Sequence, residues 1–412
     1  MHKLRVLICL LALILPACSV TSQASPALSS EERQHTASLI NPQIIQAENS
    51  LGLQLHRQLV ESGTGENVMI SPYSISTALA LAYNGSAGET ASEMTKTLGW
   101  DDITLEDLNE HNEQLRKLLS DSDDGIELNI ANSVWVKEGT EFKQPFLRAS
   151  KDSYNADIYS LKLSNTKTMD KINNWVKQHT NNKITQILAN PLSPLTESVL
   201  INAIYFNGTW EHSFSEDNTQ EESFVLTDGS TQQVQMMRQT YSFPYAETED
   251  WQSIRLPYGD GRMSMLIILP SEQSSLGELQ QELWKDPSPW QQTFDENTVN
   301  IGLPRFQIEY KQQLKTVLQN IGMKLAFQPE VADFSRMSNE RQLYISSIMH
   351  ETLLEVNEKG AEAAAVTSIL VDAGSSSAPP EPVNMTLNRP FFFAIEDTQS
   401  KAWLFLGSVT QP

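Results

Sequence analysis

The stretch from Glu358 to Val371 constrains this chain more than any other, because its residue pattern and its surroundings point in different directions. It reads EKGAEAAAVTSILV and contains four alanines between Ala361 and Ala365. Alanine favours helix, but a period of two describes the stretch better, since one set of alternate residues is small or β-branched and the other holds every strongly polar residue. The small set comprises Ala361, Ala363, Ala365, Thr367, Ile369 and Val371.

This alternation predicts a strand with one buried face. The residues that follow, GSSSAPPEP, are instead typical of a solvated and mobile loop. A strand pattern in a loop context indicates a segment with two alternative states.

Longer motifs surround this stretch and occur in a fixed order along the chain. They are NVMISPYSISTALALAYNGSAGET (Asn67 to Thr90), INNWVKQHTNNKI (Ile172 to Ile184), LINAIYFNGTW (Leu200 to Trp210), ADFS (Ala332 to Ser335), LYISSIMHETLLEVNEKGAEAAAVT (Leu343 to Thr367) and NRPFFFAIEDTQSKAWLFLGSV (Asn388 to Val409). In this order they resemble the motifs of the serpins, a family of serine protease inhibitors. The resemblance covers nearly the whole chain after about residue 45.

The resemblance implies an α+β protein with the serpin fold. We expect one compact domain over residues 45–412, with three β-sheets, about nine helices and an exposed reactive-centre loop at about residues 358–386. The apolar segments between Leu51 and Val409 agree with a single domain, because only the 374–382 stretch interrupts them with Ser, Pro and Gly. The resemblance therefore overrides the two or three domains that a chain of 412 residues would otherwise suggest.

The first residues resemble a bacterial lipoprotein signal peptide. Basic residues at positions 2, 3 and 5 precede the apolar run Val6 to Leu15, which is too short to span a bilayer and ends at Leu-Pro-Ala-Cys18. We expect removal of residues 1–17, lipidation of Cys18, and a flexible tether over residues 18–44. The product would be an outer-membrane lipoprotein on the periplasmic or cell-surface face. The alternative is secretory cleavage after Ala24, which would release a secreted, extracellular protein.

Charge and cysteine content narrow the possible partners. The net charge of −22 argues against nucleic acid and anionic membranes, so membrane contact is expected only through a lipid anchor. The segment Leu105 to Leu119 matches the heparin-binding helix of some serpins, but its four acidic residues outnumber two basic ones, so heparin is not an expected partner. Cys9 leaves with the signal, which leaves the mature chain without a disulfide. We expect a monomer.

Motifs for catalysis are missing from the sequence. It has no G-x-S-x-G nucleophile elbow, and His350-Glu351 lacks the second histidine of a zinc-protease helix because position 354 is leucine. Residues 121–125 look like part of a calcium loop, but Asn132 stands where the bidentate glutamate belongs. A solvated acidic turn is the better interpretation. We predict no enzymatic activity, no cofactor and no metal site.

The resemblance assigns roles to polar residues near the main sheet. Ser71, Asn202 and His350 correspond to the shutter, the polar group beneath the sheet at the place where its strands separate. The other interpretation of His350 is a core histidine with satisfied hydrogen bonds. Trp210 corresponds to the breach, at the top of the sheet where insertion begins, although a tryptophan after an apolar strand is most often a core residue.

The hinge of the predicted reactive-centre loop follows from the same resemblance. It consists of Glu358, Lys359, Gly360, Ala361, Glu362, Ala363, Ala364 and Ala365. Glycine tolerates unusual backbone angles, although Gly360 is also compatible with a simple turn. The alanines are small enough to pass between two strands. No proline or bulky residue interrupts the small set, and this favours an inhibitor over the non-inhibitory serpins.

The position of the reactive bond follows from serpin spacing. Counting from Glu358 places the bond at Gly374-Ser375, whereas alignment on Pro379-Pro380-Glu381 shifts it to Ser376; Ala373 is a further alternative. All of these residues are small and uncharged, and no Lys or Arg occurs between Gly360 and Pro382. A target with a small specificity pocket, either elastase-like or subtilisin-like, is therefore expected, and a papain-like cysteine protease is a second possibility.

The resulting hypothesis is a suicide inhibitor of serine endopeptidases. The target would cleave the loop, become trapped as an acyl-enzyme, and be displaced when the hinge side inserts as a new strand. The alternative is a non-inhibitory serpin that acts as a binding or chaperone-like module.

Overall fold

The computed structural model describes residues 28–63, 65–120, 125–339, 343–360 and 381–412. These residues form ten α-helices and fourteen β-strands. The helices are α1 (Ser30–Ser38), α2 (Pro42–Ser62), α3 (Pro72–Gly85), α4 (Gly88–Leu98), α5 (Leu105–Ser120), α6 (Gln144–Asp152), α7 (Thr166–His179), α8 (Leu276–Lys285), α9 (Ser288–Gln291) and α10 (Lys315–Ile321). The strands are β1 (Val68–Ile70), β2 (Ile126–Lys137), β3 (Asp157–Leu161), β4 (Ser198–Gly208), β5 (Gln220–Val225), β6 (Thr231–Glu247), β7 (Trp251–Tyr258), β8 (Met263–Pro270), β9 (Asp295–Pro304), β10 (Phe306–Gln313), β11 (Ser347–Val356), β12 (Val383–Thr386), β13 (Phe391–Asp397) and β14 (Trp403–Val409).

Five strands form the main sheet, in the order β10-β11-β4-β2-β3. Its central strands β11 and β4 are parallel neighbours, paired from Ser347–Val199 to Leu354–Phe206. On the two sides of this pair, β10 runs antiparallel to β11 and β2 runs antiparallel to β4. Strands β4 and β11 are buried on both faces. Burial explains why β4 is mostly apolar between Val199 and Phe206, whereas β11 carries the polar residues His350, Glu351 and Thr352 into the buried sheet.

The other nine strands form one hydrogen-bonded network, ordered β1-β14-β13-β8-β7-β6-β9-β12, with β5 paired to β6. The long strand β6 belongs to two parts of it, since residues 236–245 pair with β9 and only residues 245–247 pair with β7. The network thus divides at β6 into a six-stranded sheet and a second sheet of β5, β6, β9 and β12. The expected α+β fold with three sheets is confirmed, and the described residues contain ten helices where about nine were expected.

Helix α3 is buried between the main sheet and β14. Two sequence signals mark the start of α3. Pro72 occupies the first turn, and the Ser71 side chain caps the helix by accepting a hydrogen bond from the Ser74 N–H. The N-terminus of α3 is thereby fixed directly under the centre of the main sheet.

The opposite face of the main sheet is covered by α7 and the segment after it, residues 180–197. Ile172, Trp175 and Val176 of α7 share an apolar cluster with Ala131 of β2 and Ala203 of β4. The motif INNWVKQHTNNKI therefore forms most of a helix, and the turn after it, that lie across the main sheet.

Residues 29–44, assigned above to a flexible tether, differ from that expectation. Ser29 and Glu32 form a reciprocal capping box at the start of α1, and α1 contacts α5. Ile40 belongs to the core cluster, and Arg33 lies 3.5 Å from Asp260 in the β7–β8 turn. The physical reason is that a polar helix becomes stable once a few of its residues find tertiary contacts. The described body therefore begins before residue 45.

Candidate functional site

The site consists of the boundary between β4 and β11, which we call the seam, and the structures at its centre and its top. Along the seam, β11 and β4 exchange hydrogen bonds directly. The side chains of Asn202 and His350 stand opposite each other in this register. Two of the three predicted shutter residues thus meet across the seam itself.

A buried polar cluster joins the seam to α3. The Ser71 N–H donates to His350 Nε2 at 3.1 Å, and His350 Nδ1 lies 2.5 Å from Asn202 Oδ1. Asn202 Nδ2 in turn donates to Asn132 Oδ1 at 2.6 Å and to the Ser74 carbonyl at 3.0 Å. Ser71, Asn202 and His350 are completely inaccessible to solvent. The structure therefore brings all three predicted shutter residues together.

The protonation state of His350 follows from these contacts. Because the Ser71 N–H donates to Nε2, that nitrogen is unprotonated, and the ring hydrogen sits on Nδ1 facing the Asn202 carbonyl oxygen. Burial lowers the pKa of His350 to about 3, so the ring is neutral at physiological pH. Only the His350–Asn202 hydrogen bond of this cluster crosses the seam.

Two members of the cluster, Asn132 and Ser74, are not predicted by the sequence motifs. Asn132 pairs with Asn202 in the β2–β4 register and is buried. Its signal was present, since Asn132 is a polar residue inside the apolar run ANSVWVK, as His350 is in IMHETLL. The spacing from Asp121 instead aligns Asn132 with the last position of a calcium loop. The structure places it within a strand, with its side-chain oxygen occupied by Asn202.

At the top of the seam, Trp210 holds the end of β11. Its ring N–H donates to the Asn357 carbonyl at 2.9 Å, and its backbone N–H donates to the Lys359 carbonyl at 3.0 Å. The ring stacks on Tyr258 with centroids 4.2 Å apart. Trp210 is buried like an ordinary core residue, but its hydrogen bonds go to Asn357, just before the predicted hinge, and to Lys359 within the hinge.

Gly360 closes a tight turn with Asn357, and its φ of 98° lies in the left-handed region. A Cβ atom here would lie 2.1 Å from the Gly208 carbonyl oxygen and 2.5 Å from the Trp210 nitrogen. Both facts require glycine. The turn is thus pressed against the end of β4, at the point where a strand entering the seam would begin.

Glu358 is locked beside this turn. Arg305 Nε donates to both oxygens of the buried Glu358 carboxylate, at 2.7 Å to Oε1 and 2.6 Å to Oε2. The Thr219 hydroxyl donates to Oε1 at 2.5 Å. Burial alone raises the pKa of Glu358, but the hydrogen bonds from Arg305 and Thr219 outweigh it and hold the pKa below its ordinary value. A cavity of about 510 Å³ opens beside Arg305, Glu358 and Lys359.

Several predicted site residues lie outside the described residues. They are Cys18, Ala361, Glu362, Ala363, Ala364, Ala365, Ala373, Gly374, Ser375 and Ser376. Within the described ranges, no helix is long and apolar enough to cross a membrane. In the same ranges, no group of three or more His, Cys, Asp or Glu side chains is placed to hold a metal ion.

Comparisons with known proteins agree with this architecture. The family model described as "Serpin (serine protease inhibitor)" matches residues 46–412. An uncharacterised serpin-like protein of Thermococcus kodakarensis is 34% identical over 379 residues, covering 90% of this chain and 86% of its own. The human leukocyte elastase inhibitor is 33% identical over 386 residues, covering 90% of this chain and all of its own.

A solved structure shows the same fold. The crystal structure of the thermophilic serpin tengpin in its native state has a TM-score of 0.81 and 34% identity, covering 90% of this chain and 95% of its own. The chain belongs to the serpin family. This is a family of protease inhibitors rather than of catalytic enzymes.

Proposed function

We propose that this protein is a suicide inhibitor of serine endopeptidases. In this proposal the target cleaves the segment after Gly360, and the hinge side of the cut segment enters the seam between β4 and β11. The observation that carries the proposal is the direct parallel pairing of β4 and β11 beneath a glycine turn that leads into an alternating small-residue segment.

The strand directions support insertion. The turn at Asn357–Gly360 ends β11, so a strand that folds back from it runs antiparallel to β11. Because β4 is parallel to β11, the same strand is also antiparallel to β4. One parallel contact would be exchanged for two antiparallel ones, which are slightly more stable per residue. Each net hydrogen bond gained contributes about 1 kcal/mol.

The polar cluster supports the same mechanism. Separation of β4 and β11 breaks the His350–Asn202 hydrogen bond. The hydrogen bond between Ser71 and His350 can persist, and so can the hydrogen bonds from Asn202 to Asn132 and Ser74. An unpaired buried group costs about 1–3 kcal/mol. Confining this cost to one contact allows the seam to open without loss of the whole cluster.

Insertion would trap the protease chemically. A serine protease attacks the exposed bond and forms an acyl-enzyme, which its oxyanion hole must hold in register for hydrolysis. A strand that enters the seam pulls the tethered enzyme away from the loop and distorts that geometry. The ester then persists.

The residues around the proposed reactive bond indicate the target class. Gly374-Ser375 and the alternatives Ala373 and Ser376 are small and uncharged, so they fit a protease with a small specificity pocket. A relative that is 33% identical is named leukocyte elastase inhibitor, which agrees with an elastase-like target. Subtilisin-like enzymes and papain-like cysteine proteases are the other proposed targets, and the experiment below includes one of each.

Incubation of the purified protein with elastase, subtilisin, papain and trypsin tests the proposal. We expect an SDS-stable complex with an enzyme of small specificity pocket, and mass spectrometry should place the cut between Ala373 and Ser376. Elastase whose active-site serine is blocked beforehand is the control and should give no complex. Cleavage by all of these enzymes without a stable complex would instead favour the non-inhibitory binding module.

We also propose that Cys18 carries a lipid, which anchors an exported protein to the outer membrane. The support is the basic and apolar pattern before Leu-Pro-Ala-Cys18. Mass spectrometry of the mature N-terminus decides between the two predicted products. A lipid-modified N-terminal Cys18 would support the anchor, and an unmodified N-terminal Ser25 would indicate a secreted inhibitor.

A further inference from the structure

Glu351 is a buried carboxyl at the seam that the proposed mechanism does not use. It lies on β11 next to His350, but its side chain belongs to the opposite face of the sheet, with Met349 and Leu353. Across the seam it pairs with Ala203 of β4, which offers no polar group. The residue is 1% exposed, and its Oε2 atom accepts no hydrogen bond of ordinary geometry from the described residues.

The charged groups around Glu351 come from β10. Lys311 stands opposite it in the β10–β11 register, with Nζ 3.5 Å from Oε2, and Glu309 is the second charged neighbour. Lys311 is shared, because its Nζ also donates to the carbonyl of Gln186 at 2.5 Å. The ammonium group therefore compensates Glu351 only in part.

The covering elements contribute little further charge. From β4, Tyr205 is the ionisable residue nearest in register, and burial raises its pKa, so it stays neutral. From the segment after α7, Lys183 is placed over the Tyr205 ring at 5.5 Å. Apolar residues of that segment, Ile184, Ile187 and Leu188, lie in one cluster with Ala203 and Leu353. This segment therefore contacts both strands of the seam and covers Glu351.

We propose that Glu351 makes opening of the seam depend on pH, because the closed sheet favours the protonated carboxyl and the open sheet favours the carboxylate. An ionised carboxylate held among apolar side chains is costly, and separation of β4 and β11 gives it access to water. The proposal concerns the same seam as the proposed function, but seam opening can be measured without a protease.

The direction of the effect follows from linkage. Burial raises the pKa of Glu351 from 4.5 to about 7, although Lys311 opposes this rise. Between these two pH values the closed sheet holds a proton that the open sheet releases. Opening therefore becomes easier as the pH rises from about 4.5 to about 7, and it does not change further above that.

His350 has the opposite effect and must be separated. Burial lowers its pKa to about 3, so an open seam that exposes the ring would take up a proton below its ordinary pKa of 6.5. His350 therefore favours opening at low pH. A comparison between the parent protein and Glu351→Gln at each pH cancels this contribution, because both proteins contain His350.

Hydrogen–deuterium exchange of β4 and β11 amides, measured from pH 5.0 to 8.5, tests the proposal. We expect the ratio of opening constants, parent over Glu351→Gln, to rise at least about tenfold between pH 5 and 7 and then to level off. Glu355→Gln is the matched control, since Glu355 is an exposed carboxylate four residues further along the same strand. Its ratio to the parent should stay constant.

Lys311→Met provides a second variant. Loss of the ammonium removes the charge that stabilises the carboxylate, so the pH at which opening levels off should move above 7. A parent-to-Glu351→Gln ratio that stays flat across the range would overturn the proposal, as would a Lys311→Met profile identical to the parent's. A flat ratio in a protein that traps proteases would leave the inhibitory function intact. A rising ratio without trapping would reject inhibition and keep the pH dependence.

Discussion

At the top of the seam, the buried carboxylate of Glu358 is held by an ion pair with Arg305. The Glu358 side chain is 4% exposed, while its partner Arg305 is 43% exposed. A buried carboxylate depends on such a partner, because the group cannot turn back to water when the partner is lost. Arg305, on the loop between β9 and β10, thereby fixes the first hinge residue to the main sheet.

We predict that Arg305→Ala lowers the stability of the native state by about 2 kcal/mol, because it leaves the buried Glu358 carboxylate without its charged partner. Urea unfolding monitored by tryptophan fluorescence measures the change. Arg238→Ala is the control: Arg238 forms a similar two-bond pair with Glu222, but both side chains are about one-third exposed. That variant should lose about 0–1 kcal/mol. Equal losses in the two variants would show that burial of Glu358 does not matter.

At the scale of the element, the main question concerns the alternation that follows Gly360. The described part of the hinge ends at Gly360. The turn at this residue packs against the Gly208 backbone and is held by the hydrogen bond from the Trp210 N–H to the Lys359 carbonyl. The small set that begins at Ala361 has the residue types expected on the buried face of a strand. The alternate residues between them, which include the strongly polar ones, have the residue types expected on the exposed face. The two sets should therefore respond differently to the same substitution.

We predict that Ala361→Arg converts the inhibitor into a substrate, whereas Ala364→Arg leaves inhibition nearly unchanged. An arginine in the small set would bury an unpaired charge beneath the sheet and slow insertion, so the acyl-enzyme would hydrolyse first. An arginine in the opposite set would face solvent. The stoichiometry of inhibition with the same protease should rise several-fold for Ala361→Arg alone. A similar rise in both variants would show that the alternation does not direct insertion.

At the scale of the whole molecule, the closed seam leaves the main sheet one strand short of the arrangement that insertion would produce. The direct parallel contact of β4 and β11 is a stable arrangement, but a cut loop offers a better one, with antiparallel partners on both sides of the new strand. The stability of the molecule should therefore depend on whether the chain is intact.

We predict that cleavage between Ala373 and Ser376 raises the melting temperature by tens of degrees. About a dozen new hydrogen bonds would each contribute ~1 kcal/mol, and each kcal/mol is typically worth a few degrees in a domain of this size. Differential scanning calorimetry before and after treatment with a catalytic trace of elastase measures this. Ala361→Arg, cut in the same way, is the control and should show a smaller rise. An unchanged melting temperature in the cut parent would contradict strand insertion.

Much of the fold and part of the site could be read from the sequence, because their signals are local. A period of two, a proline and serine at the start of α3, and polar residues inside apolar strands all act within a few positions of the chain. These signals identified the strand pattern after Gly360. Together with the family resemblance, they also identified Ser71, Asn202 and His350.

Other features were decided by tertiary structure alone, because they depend on which distant segments become neighbours. Asn132 and Asn202 meet only because β2 and β4 are adjacent, and Glu351 is buried only because α7 and residues 180–197 cover that face of the sheet. The polar helix α1 is ordered by contacts with α5, more than sixty residues away along the chain. Periodicity shows which side chains share a face of a strand, but only the packing of the folded chain determines what that face meets.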